Sequence, residues 1–288
     1  MIYAYTGKMF TLGIRENVLY AKILDAQKFM HKALEARQIF CSTDIDPYHS
    51  GFIGVENSII TTKRGSLASK QCSANPIWGV KFLRWFETIG PKCGDKVFLS
   101  VSSSFPALVY SCIAACEARE LCGVLCVSLG SSSWGANRPE LNMSVILELL
   151  TQGGFMNMRP ELYTLGGKNE NAENMSHEGR EYLIRTMQGK PLEMRNSLQE
   201  ITALKAKYIS GSKLVINIGG NASFPGYCEP YVPVPSGVIM PDEKIDCGNG
   251  LAAIALRAGI PVINIREVKS LAEKFGISSK RLRGYSLL

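Results

Sequence analysis

The sequence predicts an α/β protein with a doubly wound, mainly parallel sheet that carries helices on both faces. From residue 96 onward, short apolar runs alternate with segments of helical periodicity, and strands alternate with helices in this way in parallel sheets. Four turns rich in glycine or serine follow apolar runs, at residues 101–106, 130–137, 165–167 and 219–223. In an open parallel sheet such turns gather at the carboxyl ends of the strands, where ligands bind.

The first ninety residues are predicted to hold two helices. Apolar residues at helical spacing predict an amphipathic helix over 15–38, and a second helix over 76–89 ends at Gly90-Pro91. Between the helices, a turn at 43–47 is followed by a short strand or loop at 51–56. That segment leads into a polar cluster around Thr61 and Thr62.

The rest of the chain is predicted to alternate strands with helices. The predicted strands lie at 96–100, 124–128, 161–165, 214–218 and 261–265. The predicted helices lie at 105–120, 141–150, 178–188, 191–208, 251–258 and 268–275. Pro106 falls in a first helical turn, where proline is tolerated, and the proline-rich stretch 227–241 must be loop or edge structure. On the helix over 191–208 we expect Lys205 to face solvent.

Length and composition are those of an ordinary soluble globular protein. With 288 residues, 46% of them apolar and 20% charged, the chain can form one large α/β domain or two smaller ones. We expect one domain over 1–288, with a helical extension over 1–40 packed on it and a basic tail over 276–288. No apolar run approaches the roughly 18 residues that a membrane helix needs, and the amino terminus lacks the core of a signal peptide.

The net charge of +7 comes from the two ends of the chain. Residues 1–40 carry six Lys/Arg against three Asp/Glu, and residues 266–288 carry six against two. This surplus has two interpretations. The ends are solvated and frayed, or they attract an acidic polymer or an anionic lipid surface. Nucleic acid is the weakest option, because no basic stripe is interleaved with aromatic residues.

The nine cysteines predict buried free thiols rather than disulfides or a metal centre. No pair has C-x-x-C spacing, and no histidine–cysteine cluster has the spacing of metal ligands. Free thiols favour a reducing compartment, which leads us to expect a cytoplasmic or membrane-associated protein. The sequence holds no phosphate-binding P-loop motif, and we predict neither a metal nor a cofactor.

Several blocks of the chain together resemble one known family. They are Thr61-Thr62 with Gly65 and Lys70, and the stretches 102–108, 131–137, 216–220 and 259–264. Over residues 45 to 276 the chain is similar to the poly-gamma-glutamate system protein family, which is encoded beside the ligase and membrane components that make that capsule polymer. The chain departs from the family in lacking a hydrophobic amino-terminal segment, and in having Ser103 where the family pattern usually has glycine.

The resemblance implies a pathway more than a mechanism. It implies an accessory protein of poly-γ-glutamate synthesis or export that binds the anionic polymer, or a phosphorylated or carboxylate intermediate. The membrane components of the polymer synthase are the implied partners.

The predicted ligand-binding residues are small, hydroxyl or amide residues of the turns, with one tryptophan. Hydroxyls and free backbone N–H groups in such turns can hold an anion. These residues are Thr61, Thr62, Ser102, Ser103, Ser131, Ser132, Ser133, Trp134, Asn137, Gly166, Gly167, Gly219, Gly220 and Asn221.

Several of these residues also allow a purely structural interpretation. Serines 102–104 can cap the next helix, and the Thr61-Thr62 pair can be ordinary strand or turn chemistry. Trp134 can stack on a ligand or pack on the core. Asn137 with Glu140 can form a helix start.

The alternative function is a hydrolase or transferase that acts on a γ-glutamyl or related amide or ester bond. Its nucleophile would be Ser104 and its base His49 or Lys70, because a serine nucleophile needs a base within reach. A base within hydrogen-bond distance of Ser104 would favour catalysis, and an isolated Ser104 would favour binding.

Overall fold

The computed structural model describes residues 2–5, 8–227, 233–243 and 248–278. The most basic part of the predicted tail, with Lys280, Arg281 and Arg283, lies outside the described residues.

Strands and helices alternate along the described chain. The strands are β1 (Ile2–Tyr5), β2 (Lys8–Thr11), β3 (Thr61–Lys63), β4 (Lys96–Ser102), β5 (Cys122–Ser128), β6 (Ser131–Ser132), β7 (Asn137–Arg138), β8 (Leu141–Asn142), β9 (Pro160–Thr164), β10 (Leu214–Ile218), β11 (Gly237–Ile239) and β12 (Val262–Ile265). The helices are α1 (Ile14–Glu35), α2 (Leu67–Ser73), α3 (Ile77–Ile89), α4 (Pro106–Ala118), α5 (Met143–Gln152), α6 (His177–Thr186), α7 (Leu198–Ala206), α8 (Leu251–Arg257) and α9 (Val268–Phe275).

The main sheet has six strands in the order β11-β12-β10-β4-β5-β9. Its five longer strands, β12, β10, β4, β5 and β9, are parallel, and β11 pairs antiparallel with β12 at one edge. In chain order the parallel strands run first, second and third toward one edge, and fourth and fifth toward the other. The direction of winding therefore reverses between β4 and β10, which confirms the predicted doubly wound α/β fold.

Alternating side chains of the parallel strands enter two hydrophobic cores, one on each face of the sheet. In β4, Val97, Leu99 and Val101 join the core that includes α1, α3, α4, α5 and α9. Phe98 points to the other face and joins the core that includes α8. Strands that are buried on both faces read as nearly continuous apolar runs, which is why β4 and β10 were recognisable in the sequence.

One predicted helix is shorter than expected. The helix predicted over 191–208 begins only at Leu198, where the Ser197 hydroxyl accepts a hydrogen bond from the Glu200 amide and caps it. The preceding residues are extended, because Leu192 bridges to Tyr163 and the Glu193 amide donates to the Tyr163 carbonyl. Pro191 at the start of that stretch disfavours helix for the residue before it.

The amino-terminal region contributes to the core through α1. Leu19, Ile23 and Met30 of this helix are buried in the larger core. Before α1, β1 and β2 form an antiparallel hairpin, which the sequence analysis did not predict. Within the described residues, none of the helices combines the length and apolar character that crossing a membrane requires.

Candidate functional site

A pocket opens at the carboxyl ends of β4, β5 and β10, next to the point where the winding of the sheet reverses. Ligands bind at this position in open parallel sheets. The pocket has a volume of about 180 Å³. It is lined by Thr62, Lys63, Ser102, Ser104, Ser128, Gly130, Gly166, Gly167, Lys168, Glu170, Asn174, Gly220 and Asn221. We call it the serine pocket.

The three serines after β4 do not cap the following helix. The N-cap residue of α4 is Phe105, and no side chain caps that helix end. Instead, the Ser102 hydroxyl accepts a hydrogen bond from the Ser104 amide at 3.4 Å, and the Ser103 hydroxyl donates to the Ser128 carbonyl at 2.8 Å. Ser103 therefore joins the ends of β4 and β5, while Ser102 and Ser104 line the pocket.

The serine-rich turn after β5, at residues 130–137, supports the wall of the serine pocket. The Ser131 hydroxyl donates to the Ser103 carbonyl at 3.0 Å, and the Ser133 amide donates to the Lys63 carbonyl at 3.0 Å. The Ser132 amide donates to the Ser104 hydroxyl at 3.2 Å. These bonds fix the loop after β5 against β3 and the end of β4, so the turn has a positioning role.

Trp134 and Asn137 hold the same loop to the chain before β3. Trp134 is half-buried with a φ of 65°, and its backbone amide donates to the Val55 carbonyl at 2.7 Å. The Asn137 amide group bonds both Val55 and the Thr61 hydroxyl. Asn137 therefore does not begin a helix with Glu140; α5 is capped by Asn142 instead.

Lys70 is a buried cation directly behind the pocket wall. It lies on α2 and is 3% exposed. Its Nζ donates to the Ser104 carbonyl and, at 2.8 Å, to the Ser132 hydroxyl, and it lies 3.8 Å from the centre of the Phe105 ring. Burial, and then the nearby ammonium of Lys63, lower the pKa of Lys70 to about 7.

Lys63 brings a second cation to the mouth of the serine pocket. Partial burial, and then the neighbouring guanidinium of Arg266, lower its pKa from the ordinary value. Among the described residues, no carboxylate lies within ion-pair distance of Lys63 or Lys70, whereas Lys168 lies 3.9 Å from Glu173. Lys63 and Lys70 therefore give the pocket a positive potential, which Glu267 offsets in part by raising the pKa of Lys63.

A buried ion pair forms the floor of the serine pocket. Glu170 and Lys205 are both fully buried, and 3.0 Å separates the Glu170 carboxylate from the Lys205 ammonium. The carboxylate also accepts hydrogen bonds from the hydroxyls of Ser128, Thr164 and Ser223, at 2.7, 2.7 and 2.8 Å. Burial alone would raise the pKa of Glu170, but these partners outweigh it and lower that pKa to about 2. The expectation that Lys205 faces solvent is wrong, because its ammonium neutralises this carboxylate.

Glu170 lies in a strained segment of backbone. Asn169, Glu170 and Ala172 have φ values of 54°, 61° and 57°, in the left-handed region that costs a non-glycine residue about 1–3 kcal/mol. The segment also follows Gly166 and Gly167, both at positive φ. The hydrogen bonds to Glu170 hold this strained loop at the pocket.

A second pocket adjoins the first. It has a volume of about 200 Å³ and shares Lys63, Gly220 and Asn221 with the serine pocket. Its remaining lining residues are Asn217, Gly219, Ala222, Phe224, Pro225, Val234, Asn264 and Arg266. We call it the asparagine pocket.

The structure brings together about half of the predicted ligand-binding residues. Thr62, Ser102, Gly166, Gly167, Gly220 and Asn221 line the serine pocket, and Gly219 lines the asparagine pocket. The remaining residues line neither pocket and instead make the supporting contacts described above: Thr61, Ser103, Ser131, Ser132, Ser133, Trp134 and Asn137.

The predicted nucleophile and its predicted bases are not assembled. Ser104 lines the pocket, but His49 packs edge-to-face on His31 of α1, with 5.0 Å between the ring centres. Lys70 bonds the Ser104 carbonyl and the Ser132 hydroxyl rather than the Ser104 hydroxyl. Among the described residues, the hydrogen bond to the Ser104 hydroxyl comes from the Ser132 amide, which cannot accept a proton.

A larger cavity lies at the opposite edge of the sheet. Its volume is about 570 Å³, and it is lined by the loop 209–213 and by the chain around Ile254 and Ile260. Its polar lining residues, Ser210, Ser212 and Lys213, all come from one loop, so its chemistry gives less reason to expect a specific ligand than that of the serine pocket, whose polar groups converge from several elements. In the part of the chain that the structure describes, no three histidine, cysteine, aspartate or glutamate side chains are arranged to hold a metal ion.

Sequence reasoning missed Lys63, Ser128, Glu170, Lys205, Asn217 and Asn264. One signal was present for the asparagines, because Val-Ile-Asn-Ile occurs twice, at 215–218 and 262–265. These repeats are the adjacent strands β10 and β12, and Asn217 pairs in register with Asn264. Comparisons of the chain with protein-family models, with curated proteins and with solved structures found no match.

Proposed function

We propose that the protein binds an anionic, carboxylate-bearing ligand at the serine pocket, as an accessory protein of poly-γ-glutamate synthesis or export. The observation that carries the proposal is that two lysines at the carboxyl edge of the sheet, Lys63 and Lys70, have no carboxylate within ion-pair distance among the described residues. The ligand class comes from the sequence blocks that resemble the poly-gamma-glutamate system proteins. Four of those five blocks contribute residues to this pocket or to the asparagine pocket.

The pocket offers several kinds of contact to a carboxylate. Lys63 and Lys168 supply charge, and the hydroxyls of Thr62, Ser102 and Ser104 supply short polar groups. Hydrogen bonds to a charged partner contribute about 1.5–3 kcal/mol each, so a few of them suffice for micromolar binding.

Binding is better supported than serine catalysis. A serine nucleophile requires a base that takes its proton, and the described hydrogen bond to the Ser104 hydroxyl comes from a backbone amide. Lys70 has a pKa suited to a base, but it contacts Ser132, whose buried hydroxyl does not line the pocket. The hydrolase therefore remains the second candidate.

The test is to incubate the purified protein with poly-γ-glutamate and to follow the bound fraction and the chain length together, at low and moderate salt. Salt-sensitive binding without shortening supports the proposal. Shortening that disappears in Ser104→Ala establishes the hydrolase instead. If the polymer is neither bound nor shortened, it is not the ligand.

Replacing Lys63 with alanine is expected to weaken polymer binding about 10- to 100-fold, because it removes a charge-assisted hydrogen bond at the mouth of the pocket. The matched control is Lys213→Ala, which removes an exposed lysine at the opposite edge of the sheet. Binding constants by titration calorimetry should be unchanged in this control. Equal losses in the two variants would mean that the polymer is held by general positive charge and not by this pocket.

A further inference from the structure

The serine pocket and the asparagine pocket adjoin each other. They share Lys63, Gly220 and Asn221, and at this junction Gly220 presents no side chain. A Cβ added at Gly220 would lie 3.2 Å from the Lys63 Nζ. Because glycine has no side chain, it leaves the space beside the lysine unfilled at this junction.

A row of amide groups lines the asparagine pocket. The Asn217 side chain donates to the Asn264 side-chain oxygen at 2.8 Å and to the Gly219 carbonyl at 3.1 Å. The Asn221 side chain donates to Asn217 at 2.8 Å and to the Ser100 carbonyl at 2.9 Å. These bonds fix the orientation of each amide, because in each case the nitrogen meets two acceptors.

One acceptor atom in this row of asparagine amides receives no hydrogen bond from the described residues. Asn221 is 4% exposed, and its Oδ1 has no hydrogen-bond partner among the described residues. A buried acceptor without a partner costs free energy that a donor group placed against it would restore. The residue that carries it lines both pockets.

Both of the adjoining pockets are lined by cations. Lys168 lines the serine pocket, Arg266 lines the asparagine pocket, and Lys63 lies between them. Arg266 and Lys63 line the asparagine pocket together, and the Arg266 guanidinium also lies 3.9 Å from the Glu267 carboxylate. A single small anion would lie against the cations of only one of the two pockets.

We infer that the two pockets form one extended site for a linear ligand with two anionic groups joined by a linker that bears an N–H donor. One anionic group occupies the serine pocket and the other faces Arg266. The linker passes Gly220 and meets the asparagine row. This inference rests on the proposed function, because it specifies the length and the linker chemistry of the carboxylate ligand.

The test compares glutamate with γ-glutamyl oligomers of two, three and four residues by titration calorimetry. Affinity is expected to rise about tenfold or more once two residues are joined, and to level off when both pockets are filled. Oligomers that bind no better than glutamate would overturn the two-pocket inference while leaving the proposed function intact. If neither glutamate nor any oligomer binds, the proposed function fails as well.

Two cations, one from each pocket, provide matched variants. Arg266→Ala is expected to remove the gain with length while glutamate binding stays within about threefold of wild type. Lys168→Ala is expected to weaken glutamate and the oligomers alike. An Arg266→Ala variant that loses glutamate and oligomer binding equally would mean that Arg266 acts on the serine pocket, and the inference would be wrong.

A third variant fills the second pocket without changing its charge. Ala222 is half-buried and lines the asparagine pocket, so Ala222→Leu reduces the space there. The gain with length is expected to fall while glutamate binding and the melting temperature are kept. An unchanged length dependence would show that the ligand does not enter this pocket.

Discussion

Replacing Glu170 with glutamine is expected to lower the free energy of unfolding by about 3–5 kcal/mol, because it leaves the Lys205 ammonium buried without a counter-charge. Both side chains are fully buried and lie 3.0 Å apart. The carboxylate also connects the ends of β5 and β9 to the turn after β10, through the hydroxyls of Ser128, Thr164 and Ser223. In the glutamine variant, the strained loop that carries this residue loses some of these hydrogen bonds.

Denaturant unfolding of three variants separates the charge effect from a general loss of packing. The double variant Glu170→Gln with Lys205→Met removes both charges, and it should be more stable than Glu170→Gln alone. The exposed pair Lys28 and Asp25 is the control, since Asp25→Asn should change stability by less than about 1 kcal/mol. A double variant as unstable as the single one would mean that the unpaired ammonium is not the cause.

The lowered pKa of Glu170 predicts that the folded protein loses stability in acid. The pKa of this carboxylate is about 2 in the folded protein, below the ordinary value of 4.5, so the unfolded chain binds the proton more readily. The stability that Glu170 contributes is therefore present above pH 4.5 and declines as the pH falls toward 2. The stabilities of wild type and Glu170→Gln should converge over this interval.

Most of the fold could be predicted because the strands of a parallel sheet have a strong local signal. β10 and α9 have the predicted bounds, and the other strands of the parallel sheet differ by a few residues at most. The position of the pocket also follows from sequence, because the turns after parallel strands must meet at one edge. The hairpin before α1 and the helix α2 are short elements with weak periodicity, and these were missed.

The chemistry of the site could not be predicted from the sequence, because it depends on contacts between residues that are distant along the chain. Lys205 has the spacing of a surface residue on an amphipathic helix, yet it is buried because Glu170 reaches it from a loop 35 positions earlier. Glu170 itself lies in a left-handed segment rather than in a regular element. Likewise, α1 holds His49 against His31, and nothing in the sequence around His49 predicts this pairing.

The buried ammonium of Lys70 predicts a stability that rises with pH around neutrality. Its pKa is about 7 in the folded state against 10.5 ordinarily, so between these values the unfolded chain binds more protons and stability increases with pH. The contribution amounts to about 1.4 kcal/mol per pH unit within the window. Below pH 7 both states are protonated and the contribution no longer changes.

Lys70→Met should remove this pH dependence. Lys63 is the charged neighbour that also lowers the Lys70 pKa. Cys112 and Tyr110 titrate in the opposite sense at high pH, because burial raises their pKa values. The quantity to measure is therefore the difference in unfolding free energy between wild type and variant, which cancels the groups that both proteins share. This difference is expected to shift by roughly 2–3 kcal/mol in favour of wild type from pH 7 to pH 9.

Ligand binding should change the protonation of Lys70. An anion in the serine pocket favours the charged form of Lys70, so binding at pH 8 should draw a proton from the buffer, and affinity should fall as the pH rises above 7. Calorimetry in two buffers of different ionisation enthalpy measures that uptake directly. Because Lys70 contacts Ser104 and Ser132 but does not line the pocket, Lys70→Met should abolish the proton uptake while much of the binding remains. Proton uptake that persists in the variant would assign the titration to Lys63, the other lysine without a carboxylate within ion-pair distance among the described residues.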